Sequence, residues 1–400
     1  MDIPKEFLSK EFLSQFKTGE DVTAFMKELH TRVYEQMLEA ELDNHLGYEK
    51  HSNQGDHSGN SRNGSYKKIQ TEMGESVIQV PRDRKSEFEP VVVPKHQSRG
   101  LSIERLVISL YAKGMSVSDI ESEMQEIYGI NLSTSAISII TNKVSQAASE
   151  WQNRPLESLY MIVWMDGIVF KVRENGKVIN KTVYLCVGLN KEGLKEVLGM
   201  WVGKNESAAF WMGVLTDLKA RGVEDILITV TDNLNGFTET IKSVFPTSTT
   251  QICVVHQIRN SCRYVVWKEK KEFTSDLKNI YNAPTKEAAK MELDNFEQKW
   301  GTKYPYAIRS WRNNWEELTV FFDFPVEIRK IIYTTNLIEN LNGKIRKYTK
   351  NKLSFPNDDA LKKSVYLAIT EIEKKWYQPI WNWALIFNQF ITIFENRIQV

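Results

Sequence analysis

Two aspartates stand where this sequence makes a charge expensive. Asp166 lies near the C-terminal end of Leu159 to Phe170, LYMIVWMDGIVF, an apolar and β-branched run that predicts a buried strand. An ionised, unpartnered carboxylate is costly there, so a basic partner, backbone donors or a bound cation must compensate it. Gly167 follows, removing a side chain where a ligand could come close. Asp232 repeats the pattern at the end of a second apolar run, Asp225 to Asp232 (DILITVTD), with Asn233 to Gly236 as a tight exit. Two carboxylates on neighbouring strand ends suit a divalent cation, whereas taken singly each could cap the following turn. A third acid, Glu339, sits in Tyr333 to Lys352, YTTNLIENLNGKIRKYTKNK, where Glu339, Asn342, Gly343, Arg346 and Lys350 share one helical face. From Asn340 to Asn357 there are five bases (Lys344, Arg346, Lys347, Lys350 and Lys352) and no acid. A carboxylate followed on its own helix by phosphate-binding bases suits a third metal ligand beside a DNA strand. Asn336 and Glu339 also have the spacing of a capping box.

Softer ligands are sparse. The chain has three cysteines (Cys186, Cys253 and Cys262), too few and too odd in number for a disulfide framework, which favours a reducing cytoplasm. Cys253 and His256 form half of a zinc pattern with Cys262 as a possible third ligand, but Cys253 and Val255 alternate on a predicted strand, and a structural or site-neighbouring role is preferred. His45, His51 and His57 lack an accompanying cluster. The 52 basic against 51 acidic side chains leave a net charge of +1, so polyanion binding must come from local patches. One such patch is Ser61 to Arg99, with eight bases (Arg62, Lys67, Lys68, Arg82, Arg84, Lys85, Lys95 and Arg99) against five acids.

These residues need a scaffold, and 400 residues at 42% hydrophobic can build more than one core. Residues 1–46 read as helical, with Gly47 as the stop; Glu49 to Ser65 reads as a polar loop, and Tyr66 to Pro81 as a hairpin turning at Met73 and Gly74. Three helices follow, Ser102 to Ala112, Ser118 to Tyr128 and Ser133 to Ala147, with the anatomy of a helix-turn-helix or of a plain helical module. From Arg154-Pro155 onward come strands at 159–170, 181–189 and 195–202, a helix at 206–221, a strand at 225–232, a helix at 234–245 and a strand at Gln251 to His256. The order β-β-β-α-β-α-β is that of a ribonuclease-H-like core, in which the first and fourth strands are neighbours and Asp166 and Asp232 can meet. Residues 257–330 are helical and rich in tryptophan, an insertion in the sheet pattern; the tail, Asp358 to Val400, reads as two helices broken at Gln378-Pro379. No run reaches the ~20 apolar residues of a membrane span, and none has the form of a signal peptide.

The stretches MDGIVFKVR, VTDNLNGFTETIKSVFP, QICVVHQIRN and FFDFPVEIRKIIYTTNLIENLNGKIRKYTKNK, in this order and spacing, resemble the Mutator-type transposases of bacterial insertion sequences. LEAELDNHLGY, VPRDRKSEFEP and VPKHQSRGLS extend the resemblance over nearly the whole chain. It implies that the DDE carboxylates fall on Asp166, Asp232 and Glu339, and that Cys253 and His256 match a Cys-x-x-His after the second Asp. One departure is TDNLNGF, where the family more usually has Gly after the Asp.

The chain is therefore expected to be α/β. A ribonuclease-H-like catalytic core (residues 151–256) is interrupted by an all-helical insertion (257–330) and resumed at a Glu-bearing helix (331–352). A DNA-end-contacting region (1–100) and a helix-turn-helix-like domain (101–150) precede it, and a helical tail (353–400) follows. Three oxygen-donor carboxylates suit Mg²⁺ or Mn²⁺ better than zinc. Two such ions ~4 Å apart would activate water, later a DNA 3′-hydroxyl, with no covalent protein-DNA intermediate. The expected partners are the element's terminal inverted repeats, target DNA and a second copy of the chain, in a homodimer or larger assembly. Rivals are a structure-specific nuclease on the same fold and a transposase-derived DNA-binding protein that no longer cuts.

Overall fold

The computed structural model describes residues 7, 9–50, 52, 59–71, 74–93, 101–204, 206–234, 236–333 and 336–398. His51, His57, Met73, Lys95 and Arg99 lie outside them. The chain is mixed α/β, with a helical N-terminal region and a mixed sheet, and divides into two compact units: residues 1–111 with 115–143, and 112–114 with 144–400.

In the first unit, helices α1 (Lys10–Leu13) and α2 (Gly19–Leu46) are separated where Thr18 starts α2 with a capping box, its side chain accepting from Asp21 N and Asp21 accepting from Thr18 N. Gly47 ends α2 at φ +77°. Strands β1 (Arg62–Thr71) and β2 (Gly74–Asp83) form an antiparallel hairpin, longer than the alternation alone predicts. Leu38 of α2 is buried with Ile78 and Val80 of β2, and Glu35 accepts Gln79 N at 2.8 Å. Helices α3 (Leu101–Ala112), α4 (Val117–Tyr128) and α5 (Thr134–Gln152) follow, with Ile103, Val107, Ile120, Met124, Ile137 and Ile140 buried.

The second unit is organised around a five-stranded sheet. Its strands are β3 (Leu159–Glu174), β4 (Lys177–Leu189), β5 (Lys195–Gly203), β6 (Asp225–Thr231) and β7 (Thr249–Ile252), in the order β5-β4-β3-β6-β7. β3, β4 and β5 form an antiparallel meander, whose first turn uses Asn175 and Gly176 at φ +49° and +77°, the left-handed pair a two-residue hairpin requires. β6 and β7 run parallel to β3. Helices α6 (Ala208–Ala220) and α7 (Phe237–Val244) cover one face, where Trp211, Leu215, Phe237 and Ile241 pack with Tyr160, Val163 and Met165.

The other face carries a larger core, in which Met161, Trp164 and Ile168 of β3 share one cluster with Phe273, Trp300, Leu341, Val365 and Phe390. The helices supplying it are α8 (Val254–Cys262), α9 (Lys270–Tyr281), α10 (Lys286–Trp300), α11 (Pro305–Asn313), α12 (Trp315–Leu318), α13 (Val326–Ile332), α14 (Asn336–Thr349), α15 (Asp358–Glu373) and α16 (Trp383–Ile393). Burial on both faces explains why β3 reads as an unbroken apolar run.

Two boundaries differ from the sequence reading. β3 continues to Glu174, so Asp166 lies inside a long strand rather than near its end. The parallel pairing with β6 does stop nearby, at Trp164 opposite Val230, and beyond it β3 is held by β4 and by Phe355, whose N–H and C=O bond Lys171 and Arg173 at 2.8 Å. The strand expected at Gln251 to His256 ends at Ile252, because Cys253 caps α8: its Sγ accepts His256 N at 3.4 Å.

Candidate active site

The register of β3 on β6 brings the two aspartates together. Trp164 pairs with Val230, so Asp166 and Asp232, each two residues further, continue the same row and the same face. That face is the one on which α8 and α14 pack. Asp166 is 8% exposed; its Oδ1 accepts Gly167 N at 2.7 Å and its Oδ2 accepts Asn342 Nδ2 at 2.6 Å. Burial first, and then the charge of Asp232, push the Asp166 carboxyl up to about 7, against the opposing pull of His256 and the Gly167 amide.

α8 supplies the cations. His256, in its first turn, ion-pairs through Nδ1 with Asp232 Oδ1, and its Nε2 stands 3.8 Å from Glu339 Oε1. Burial alone would lower the imidazole, but the bond to Asp232, with Cys253 adding, raises it to about 11. Ligand atoms of Asp166, Asp232 and His256 all lie within 4.8 Å of one another. One turn on, Arg259 forks onto Glu339, at 2.6 Å to Oε1 and 2.9 Å to Oε2. Glu339 and Asn342 project from one face of α14, so this helix brings an acid to His256 and an amide to Asp166. The oxygen of that amide, Oδ1, is buried with no hydrogen-bond partner among the described residues.

Residues 2–379 match the profile of the Mutator family of transposases. The chain belongs to that family. It is 40% identical, over 98% of its length and 99% of the relative's, to the transposase for insertion sequence element ISRM3 of Rhizobium meliloti. It is 32% identical to the transposase for insertion sequence element IS905 of Lactococcus lactis, over 92% of this chain and 94% of that one.

Sequence reasoning on this transposase named Asp166, Asp232 and Glu339, and the fold gathers all three around His256. It gave His256 a structural or site-neighbouring role, on an expected strand rather than in the first turn of a helix, and it missed Arg259 and the contact made by Asn342. The signal was present: His256 and Arg259 are three apart, as are Glu339 and Asn342, the spacing that puts side chains on one helical face.

The zinc alternative does not assemble. Cys253 and Cys262 stand at opposite ends of α8, about 13 Å apart by helical rise. His45 faces Asp83 at 3.8 Å. Among the bases after Glu339, Lys344, Arg346, Lys347 and Lys350 are exposed. Lys352 differs: it is half-buried, donates to Ser364 Oγ at 2.9 Å and lies 5.6 Å from the Phe355 ring centre. Among the described residues no helix is long and apolar enough to cross a membrane.

Proposed function

We propose that this transposase binds the ends of its insertion sequence, cuts the DNA there and joins it to a target, with Asp166, Asp232 and Glu339 as DDE acids. The observation that carries this reading is the convergence of those carboxylates, two of them each two residues past the last β3–β6 pair and the third on a helix packed beside them. The strand order β5-β4-β3-β6-β7, with a meander followed by two parallel strands, supports a ribonuclease-H-like core, and residues 257–330 are its helical insertion.

The donor set fits a hard divalent cation. The carboxylates offer oxygen, the unpartnered Asn342 Oδ1 adds a buried oxygen beside Asp166, and among the described residues the cluster adds one imidazole, His256, engaged by Asp232, and no thiolate. Asp166, Asp232 and Glu339 would hold two Mg²⁺ or Mn²⁺ ions. Bound there, such ions supply charge neutralisation at the scissile phosphate and acidify an attacking water or 3′-hydroxyl.

The chain's own residues supply position. The Gly167 amide and Asn342 fix both oxygens of Asp166, His256 orients Asp232, and Arg259 holds the plane of Glu339. Attack by water or a DNA hydroxyl requires no nucleophilic side chain, hence no covalent protein-DNA intermediate. Lys344, Arg346, Lys347 and Lys350 contact phosphates on the strand being cut; residues 1–100 and the three helices of 101–150 contact the element's ends. Because two ends must meet, the working form is a homodimer or larger assembly. Three free cysteines accord with a reducing cytoplasm.

The test incubates purified protein with Mg²⁺ and DNA carrying the element's terminal repeats, and maps breaks and joints beside an Asp166→Asn control. Metal-dependent cuts at the ends, joined strands and a silent control support the reading. A wild type that binds the ends yet never cuts or joins them refutes it.

A further inference from the structure

An open cavity of about 360 Å³ in the second unit is lined by Lys113, Lys344, Lys347 and Lys375, with Tyr348 and Glu371 between them. Glu371 is itself ion-paired with Lys374. A fifth base, Lys195, lies 5.5 Å from the Trp376 ring centre, and burial first, then the charge of Lys344, hold its ammonium below the usual lysine range. These five come from four separate segments: the residue after α3, the start of β5, α14 and the stretch after α15. The placement of Lys113 beside α14 is built into the backbone. Gly114, at φ +96°, approaches the Tyr348 carbonyl so closely that a Cβ there would collide. Among the described residues none of the five ammoniums is ion-paired with a carboxylate, the one acid of the lining, Glu371, being held by Lys374.

We propose that this pocket is a phosphate subsite for the DNA backbone, with Lys113 and Lys375 as contacts that α14 alone does not supply and Lys195 adding its charge from the rim. The inference rests on the DNA-cutting reading above and extends it along the strand. Lys344 and Lys347 lie about 7.5 Å and about 12 Å beyond Glu339 along the axis of α14, turned about 140° and about 80° round it. The axial offset is roughly two to four base steps at about 3.4 Å each, so a strand whose scissile phosphate is at Glu339 reaches the pocket a few nucleotides on by crossing α14 obliquely. Lysine ammoniums on flexible stems serve such a site as point charges, gripping the backbone without reading sequence.

The experiment measures the affinity of the full-length protein for labelled duplexes against NaCl concentration, without divalent ions. It compares wild type with a Lys113→Gln/Lys375→Gln double variant and with the matching double arginine variant. Losing two phosphate contacts lowers the slope of log affinity on log salt by about 1.4–1.8. The loss should be equal on element ends and on unrelated DNA, and the arginine pair should restore it. A folded double glutamine variant with wild-type slope and affinity overturns the subsite. So does an unchanged DNA slope when inorganic phosphate raises the Tm of the wild type alone, since the pocket then takes a small anion. Cleavage is scored separately in Mg²⁺. A wild type that never cuts, with a slope that still falls in the variant, refutes the DDE reading and leaves the subsite standing; cutting with an unmoved slope does the reverse.

Discussion

Arg259 holds Glu339 by both carboxylate oxygens, at 2.6 and 2.9 Å, although 80 positions separate them in the chain. The fork sets the plane of the carboxylate, which a lysine's single ammonium cannot do. Arg259→Lys should therefore bind element ends as the wild type does and cut them about tenfold more slowly, a barrier change of about 1.4 kcal/mol. Single-turnover cleavage reads this, and an unchanged rate would show that the fork does not orient Glu339.

The carboxyl of Asp166, held near 7 against an ordinary 3.8, carries a stability signature. Between those values the native state binds more protons than the unfolded chain, so metal-free stability is complete below about 4 and declines as pH rises to about 7. Asp166→Asn abolishes the decline along with cleavage. At pH 8 without divalent ions its Tm is expected above that of the wild type, with the two converging near pH 4. Mg²⁺ should then raise the Tm of the wild type alone. Thermal melts across pH check both statements.

Lys352 behaves in the opposite sense. Burial, with the charge of Lys363 adding, lowers its ammonium to about 8 from 10.5, so the unfolded chain binds more protons between those values and stability rises with pH across that window. Lys352→Met should be more stable than the wild type at pH 7, by a margin that closes above about pH 10. Because Lys352 turns toward Ser364, the salt slope of DNA binding should not move. A slope lowered by nearly one would return Lys352 to the phosphate-contacting set.

Gly193 sits at φ +78° against the Trp383 indole, where an added Cβ would overlap the ring. The same corner anchors the tail: Ile380 N donates to Gly193 O, and Trp383 Nε1 to Lys191 O, each at 3.0 Å. Gly193→Ala is expected to cost on the order of 1–3 kcal/mol, read as a lower urea midpoint.

At Cys253 the reading turns on capping. Cys253→Ser keeps an acceptor for His256 N and should keep cleavage, whereas Cys253→Ala should lose about 1 kcal/mol and loosen His256. An inactive but well-folded serine variant would assign the thiol a role of its own.

What was legible in the sequence follows from physics of short range. Asp166 and Asp232 were conspicuous because an acid inside a run of Val, Ile, Met and Trp needs a reason, and the order of strands made their runs neighbours. Glu339 stood out from the basic stretch behind it. His256 was visible as half of a Cys-x-x-His but its helical setting was not, since Gln251 to His256 is apolar and β-branched enough to read as strand, and the turn into α8 is made by a sulfur acceptor. The Arg259 fork was invisible for a different cause. It joins α8 to α14 across the intervening helices, and no local periodicity reports which turns of two distant helices will face each other. Lys113, Lys195 and Lys375 have the same origin, each unremarkable in its own segment, whereas Lys344 and Lys347 were visible in the basic run.

One consequence of that long connection concerns the order in which a chain emerges during synthesis. Asp166, Asp232 and His256 are made early, but α9 to α13 intervene before Glu339, and their aromatic residues share a core with β3. On the reading proposed here, a polypeptide terminated before α14 lacks its last acid, and one terminated before α9 also lacks the helices that share its core. Abortive translation products of the gene would then be inert toward the host chromosome, and the capacity to break DNA would be among the last properties the growing chain acquires.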